Sequence, residues 1–312
     1  MDPLYNGWKS YTFFFSAENT QAYLKKKYQA QNLDNPSQKG FDNCYAFLYY
    51  LEHGQIYYEQ SEKAPLILKP ILLFYGFVHL IKACILTVNP LYPETTSVLA
   101  HGVSTRKRKK QNYQFFHDEV KFQRNGLFPF MSETMFHMEQ LEGDKITMEE
   151  LLKLIPELDE LFVKLEAKQT FMTLERCGDY FTIPEKILDH YHMTEGRFKE
   201  FFSTKFNSLF FDQDTLKFRL DDKALKNPTP LKFNLEMESY TLPLNKNNLF
   251  HFPELLTHYL LLYNLSMIAR YETEWWGELI KMMPNRDYPF INSFLNITQK
   301  KGPFLIHQFL MG

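Results

Sequence analysis

The chain has 312 residues, 45% hydrophobic and 17% aromatic, and a formal net charge of -2. That length supports one large domain or two ordinary ones with a substantial core, and the aromatic content with near-neutral charge excludes the composition of a disordered protein. A pI near 6.6 excludes a general nucleic-acid coat, which is basic throughout.

The N-terminal MDPLYNGWKS lacks a basic stretch followed by an apolar one, so no signal peptide is expected. Ser16, with Glu18 and Asn19 behind it, predicts a helix start running to about Tyr28. A polar linker from Gln31 to Lys39 follows, with Pro36 and Gly40 as breakers, then a Tyr- and Phe-rich helix over Asn43–Glu62. Pro65 and Pro70 open the next helix, which ends near Val88 before Asn89-Pro90. Its segment Leu66–Val88 is apolar enough to resemble a membrane span, but Lys69, Pro70, His79 and Lys82 interrupt it. His79 and Lys82 are three residues apart and share one helical face, which predicts a buried helix with one polar stripe and no membrane partner.

Beyond residue 110 the pattern changes. Alternation over Phe116–Phe122 before Asn125-Gly126, with a return over Leu127–Phe130, predicts a hairpin. Thr147 caps a helix over Met148–Leu165. Strands are expected at Thr170–Glu175, Asp179–Ile183, Leu209–Phe211, Thr215–Leu220 and Leu231–Tyr240, interrupted by helices at Pro184–His192 and Thr194–Phe202. The last third returns to helix, one running from Pro253 to about Lys281 and two short ones at Phe290–Thr298 and Pro303–Met311. The expected fold is α+β and predominantly helical: an N-terminal helical region (1–110), a mixed region with antiparallel strands (111–245), and a C-terminal helical region (246–312) packing on the first.

Cys44, Cys84 and Cys177 are far apart and form no CxxC pair, so neither a disulfide framework nor a zinc site is expected, in keeping with a reducing cytoplasm. Adjacent His117, Asp118 and Glu119 alternate faces on a strand and cannot meet one ion. No HExxH, GxSxG, GxGxxG or Walker A motif is present, so no metal and no cofactor is implied.

Two constellations remain. In HGVSTRKRKK, His101-Gly102 and the hydroxyls of Ser104 and Thr105 lead into five consecutive bases, Arg106 to Lys110. Local positive density on a slightly acidic chain suits an anion, and the planar guanidinium forks of Arg106 and Arg108, with Lys110, suit phosphate oxygens. The alternative is a solvated charged loop. In the second constellation Arg270 precedes Glu274 by four residues, a spacing for an ion pair on one helix face. Trp275 and Trp276 are adjacent and cannot share a face, so one is open to partial exposure as a site for a base or a protein partner; the alternative, which weighs more, is a helix end anchored by aromatic packing and one ion pair.

Several stretches resemble the YaaC-like family of Bacillus-type bacteria: FYGFVHLIKACIL (74–86), LAHGVSTRKRKK (99–110), NGLFPF (125–130) and LSMIARYETEWWGEL (265–279). The resemblance covers nearly the whole chain and implies a bacterial cytoplasmic setting with no assigned catalytic residues. A second, weaker likeness is to HEPN-type helical domains, many of which are ribonucleases or nucleotide-binding modules. That class carries an Arg followed after four to six residues by His, whereas here Arg108 reaches His117 only after eight. The leading expectation is a cytoplasmic protein that binds a nucleotide or RNA through Arg106–Lys110, His101 and Arg270. The alternatives are a nuclease-like enzyme using His101 or His117, and a scaffold using Trp275/Trp276. A cleft shared by His101 and Arg270 favours the first two. The sequence sets no oligomeric state.

Overall fold

The computed structural model describes residues 5–105, 113–138, 141–206, 208–213, 215–220, 229–250 and 252–312. It is α+β, and the chain divides into two compact units. One unit holds residues 4–152 and 255–310, the other chiefly residues 153–254.

The first unit is mainly helical. Helix α1 (Ala17–Ala30) starts where Ser16 accepts a hydrogen bond from the Asn19 amide. Helix α2 (Pro36–Lys63) starts earlier than expected, because Pro36 occupies the first turn, where a missing N–H costs nothing. Gly40 is a contact rather than a breaker: a Cβ there would lie 3.1 Å from backbone atoms of Gln21 and Lys25 in α1. Helix α3 (Lys69–Val88) is apolar on nearly every side and 67% of its apolar window is buried, which is the pattern of a core helix. At Gly76 a Cβ would meet Tyr57 and Tyr58 at 2.9 and 2.8 Å, so α3 presses closely on α2.

The C-terminal helices α9 (Glu254–Tyr271), α10 (Thr273–Met282) and α11 (Asp287–Met311) pack with the N-terminal ones. Tyr11 Oη donates to the Pro303 carbonyl at 2.5 Å, Tyr23 Oη to Leu310 at 2.6 Å, and Gln299 Nε2 to Tyr58 at 2.8 Å. The single long helix expected after Pro253 is two, because Glu272 leaves the helical region (φ -116°, ψ 49°). The two short helices expected at the end are one: Pro303 lies inside α11, and buried Phe304, Ile306 and Leu310 hold the turns beyond it in place.

A small antiparallel sheet in this unit, ordered β1-β2-β3, joins β1 (Val103–Thr105), β2 (Glu119–Phe122) and β3 (Lys145–Thr147). The hairpin expected around Asn125-Gly126 does not form. Strand β2 pairs instead with β1 and β3, and helix α4 (Leu127–Phe136) starts directly after Gly126. The helix expected over Met148–Leu165 is broken into α5 (Met148–Leu152) and α6 (Asp159–Glu166), with Pro156 in the turn between them.

Among its described residues the second unit carries two antiparallel sheets and three short helices, α6, α7 (Ile187–Tyr191) and α8 (Glu195–Lys205). One sheet pairs β4 (Phe171–Thr173), β10 (Ser239–Pro243) and β9 (Lys232–Asn234). The other orders β5 (Glu175–Cys177), β6 (Tyr180–Thr182), β8 (Lys217–Leu220) and β7 (Leu209–Phe211). The run Leu231–Tyr240, expected as one strand, folds back on itself as β9 and β10, with Ser239 opposite Asn234.

Candidate functional site

His101 is placed by a close approach of two glycines. Gly102 and Gly126 both have positive φ, at 77° and 128°, and their backbones touch, so a Cβ on either would collide with the other residue's surroundings. Around them the Leu127 amide donates to Ala100 O at 2.7 Å, Phe128 N to His101 O at 3.1 Å, and Gln123 N to Gly102 O at 3.0 Å. Tyr259 Oη adds a fourth bond, 2.8 Å to the His101 carbonyl. With its backbone held from α4 and α9, the half-buried His101 ring lies among aromatic side chains. Its centroid is 5.1 Å from Phe74, 5.5 Å from Tyr263 and 6.4 Å from Tyr75.

Arg270, near the end of α9, reaches the same place. Its Nη1 donates to Tyr75 Oη at 3.0 Å, its Nε to Ser266 O at 3.1 Å, and its guanidinium lies 5.6 Å from the Tyr75 ring centroid. Tyr75 therefore contacts both Arg270 and His101. Burial first, and then the positive charges of Arg270 and Lys82, hold the His101 pKa below its ordinary value. The ring is the neutral form near pH 7, able to accept a proton or a hydrogen bond.

The expected Arg270–Glu274 pair is absent. The break at Glu272 destroys the helical spacing of four residues, and among the described residues Arg270 has no carboxylate within ion-pair distance. Lys82 likewise has none.

The polar stripe on α3 extends this site. Tyr75, His79 and Lys82 recur at helical spacing, and Tyr50, His53 and Tyr57 do the same on α2. The two faces meet. His79 stacks on Tyr57 (5.7 Å, 18°) and meets His53 edge-on at 5.2 Å, while the Lys82 ammonium lies 5.6 Å from the Tyr50 ring centroid. Burial, then Lys82 and His53, push the His79 pKa down to about 4, and its Nδ1 is buried without a hydrogen-bond partner. Burial also lowers the Lys82 pKa. Sequence reasoning found the His79/Lys82 stripe but not Tyr75 or the α2 face. The signal was available in the spacing of Tyr50, His53 and Tyr57 on a helix.

Ser104 and Thr105 end β1. The Ser104 hydroxyl accepts from Gln123 Nε2 at 2.7 Å, and Thr105 is half-buried. Arg106, Arg108 and Lys110 lie outside the described residues. His117 is exposed in a single 3-10 turn. Trp276 is a core residue and offers no surface to a partner: it is fully buried, and its indole N–H donates to Ile67 O at 3.0 Å. Trp275 is half-buried and packs edge-on against Tyr113 at 4.6 Å. No group of three metal-ligating side chains occurs among the described residues.

Compared with known protein families, the chain matches the model described as YaaC-like Protein over residues 12–310. No curated protein and no solved structure matches it.

Proposed function

The chain belongs to the YaaC-like family, and from the site that His101 and Arg270 share we propose that it binds a phosphate-bearing ligand, a nucleotide or RNA. The observation that carries this reading is the pair of half-buried cations, Arg270 and Lys82, with no carboxylate partner among the described residues. Arg270 and Lys82 are partly withdrawn from water and met, among the described residues, only by neutral hydrogen-bond acceptors and rings, and an arriving anion supplies the opposite charge they lack. Neutral His101 can donate or accept beside them without adding to the cationic repulsion. Strand β1 leads from His101 directly into Arg106–Lys110, which adds positive density next in sequence. The aromatic walls, Tyr75 and Tyr263, suit a ligand that has a ring as well as a charge. A cytoplasmic setting accords with three free cysteines.

The test is a thermal-shift titration of the full chain against AMP, ATP and a short RNA at low and moderate salt. Binding to the native state raises the melting temperature, by an amount that falls as salt screens the cations. The expected result is a shift with at least one of these ligands that Arg270→Gln abolishes. No shift with any of them at low salt ends the reading.

A further inference from the structure

The basic and aromatic side chains around His101 extend well beyond what one phosphate can touch. Along α3 the distance from Tyr75 to Lys82 is seven residues, on the order of 10 Å. Arg270 is attached at the Tyr75 end, and Lys82 with Tyr50 occupies the other. His53 and His79 lie between, and their rings meet edge-on. All five basic groups, His53, His79, Lys82, His101 and Arg270, belong to one compact unit, and none has a carboxylate partner among the described residues. Three half-buried tyrosines run among them: Tyr50 is 6.0 Å from His79, Tyr57 stacks on His79, and Tyr75 lies 6.4 Å from Tyr57. His53 on this face is open to solvent, and Tyr50, Tyr57, Tyr75, His79 and Lys82 are each half-buried.

A mononucleotide presents its phosphates consecutively from one end and offers a single base, which leaves most of the Tyr50, Tyr57 and Tyr75 rings uncovered. A duplex presents phosphates at intervals but hides the faces of its bases inside the stack. A single strand offers spaced phosphates and open base faces together, and interleaved cations and aromatic rings are what such a strand requires. Resting on the phosphate-binding reading above, we infer that the α2–α3 face is a track for single-stranded nucleic acid, with Arg270 and Lys82 holding separate phosphates and Tyr57 and Tyr75 carrying bases.

The experiment uses the full chain, a fluorescein-labelled oligouridylate about ten nucleotides long followed by anisotropy, and AMP followed by thermal shift. Tyr57→Leu removes the ring but keeps an apolar side chain, Lys82→Gln removes the distal cation, and His53→Gln alters an exposed residue with little risk to folding. The single strand is expected to lose about fivefold or more in affinity with Tyr57→Leu and with Lys82→Gln, as stacking and phosphate contacts predict. His53→Gln is expected to give a smaller loss, and AMP binding is expected to respond to Arg270→Gln but not to Tyr57→Leu. The inference is overturned, with the phosphate-binding reading left standing, if AMP binds and neither Lys82→Gln nor His53→Gln changes affinity for the strand. A duplex of the same length binding as tightly as the single strand also overturns it. Binding of neither probe at low salt overturns both.

Discussion

Gly102 and Gly126 touch through their backbones, and that contact fixes where His101 stands. Each glycine adopts a positive φ that other residues rarely tolerate, and each lacks the Cβ that the other's position would exclude. The two segments that carry them, residues 99–105 and 125–130, are thus halves of one joint. Gly102→Ala should destabilise the fold by about 1–3 kcal/mol through backbone strain and collision with Phe128 and Pro129. Urea unfolding of Gly102→Ala and Gly126→Ala measures this. A control, Gly143→Ala, probes a glycine with positive φ but no close neighbour and should cost less.

Arg270 should matter to ligand more than to stability. Its half-buried guanidinium bonds to Tyr75 and to the backbone of its own helix, and no ion pair is lost on substitution. Arg270→Gln is expected to weaken AMP or RNA binding about tenfold or more, as loss of a charge-assisted bond to phosphate does. Arg270→Lys should restore only part of this, because an ammonium cannot reproduce the guanidinium's fork. Calorimetric titration of the three proteins, beside their melting temperatures, decides it.

The basic run supplies a salt test. Replacing Arg106, Arg108 and Lys110 with Gln should leave the melting temperature nearly unchanged, as a run of like charges in sequence rarely contributes to a core. Affinity for RNA should fall, and the slope of log K against log salt should flatten by about 2, the value for three lost contacts to single-stranded phosphates. An unchanged slope shows that these side chains are a solvated loop.

Acid should destabilise the chain through His79. Its pKa falls from the ordinary 6.5 to about 4 in the fold, so below 6.5 the unfolded chain takes up a proton that the folded one refuses. Stability is full above about pH 6.5, declines as pH falls towards 4, and this contribution levels off below that. His53, Lys82, Tyr50 and Tyr57 face the ring, and Lys82 and His53 add their repulsion to the effect of burial. Because the ring is only partly buried, the effect is screened and modest. Melting curves of wild type and His79→Gln between pH 7 and pH 4 should converge in slope above 6.5 and separate below it, with the variant losing less.

Helix α3 should behave as a core element. It is long and apolar enough to cross a membrane, yet most of its apolar window is buried against other parts of its unit. The untagged protein is expected in the supernatant after high-salt and carbonate washing of cell membranes. Retention in the pellet would overturn this.

Periodicity and turn chemistry alone determined much of this protein. The Ser16 cap marked α1 and apolar runs marked α3 and α9, and the order of helices, mixed region and helices implied the α+β arrangement with both helical ends packed together. The three-residue spacing of His79 and Lys82 placed them on one face before any fold was known, because helical geometry is local. Tertiary structure decided the rest. Whether Gly126 ends a hairpin or meets Gly102 depends on a neighbour more than twenty residues away, which no local signal contains. The Arg270–Glu274 spacing assumed an unbroken helix, and the dihedrals of Glu272, which no turn signal marks, removed it. Trp276 rather than Trp275 is interior because α10 turns that residue towards Ile67. The meeting of α2 with α3, and of His101 with Tyr75 and Arg270, is set by which helix faces pack across the core. A sequence states what each face carries, but only packing selects which faces meet.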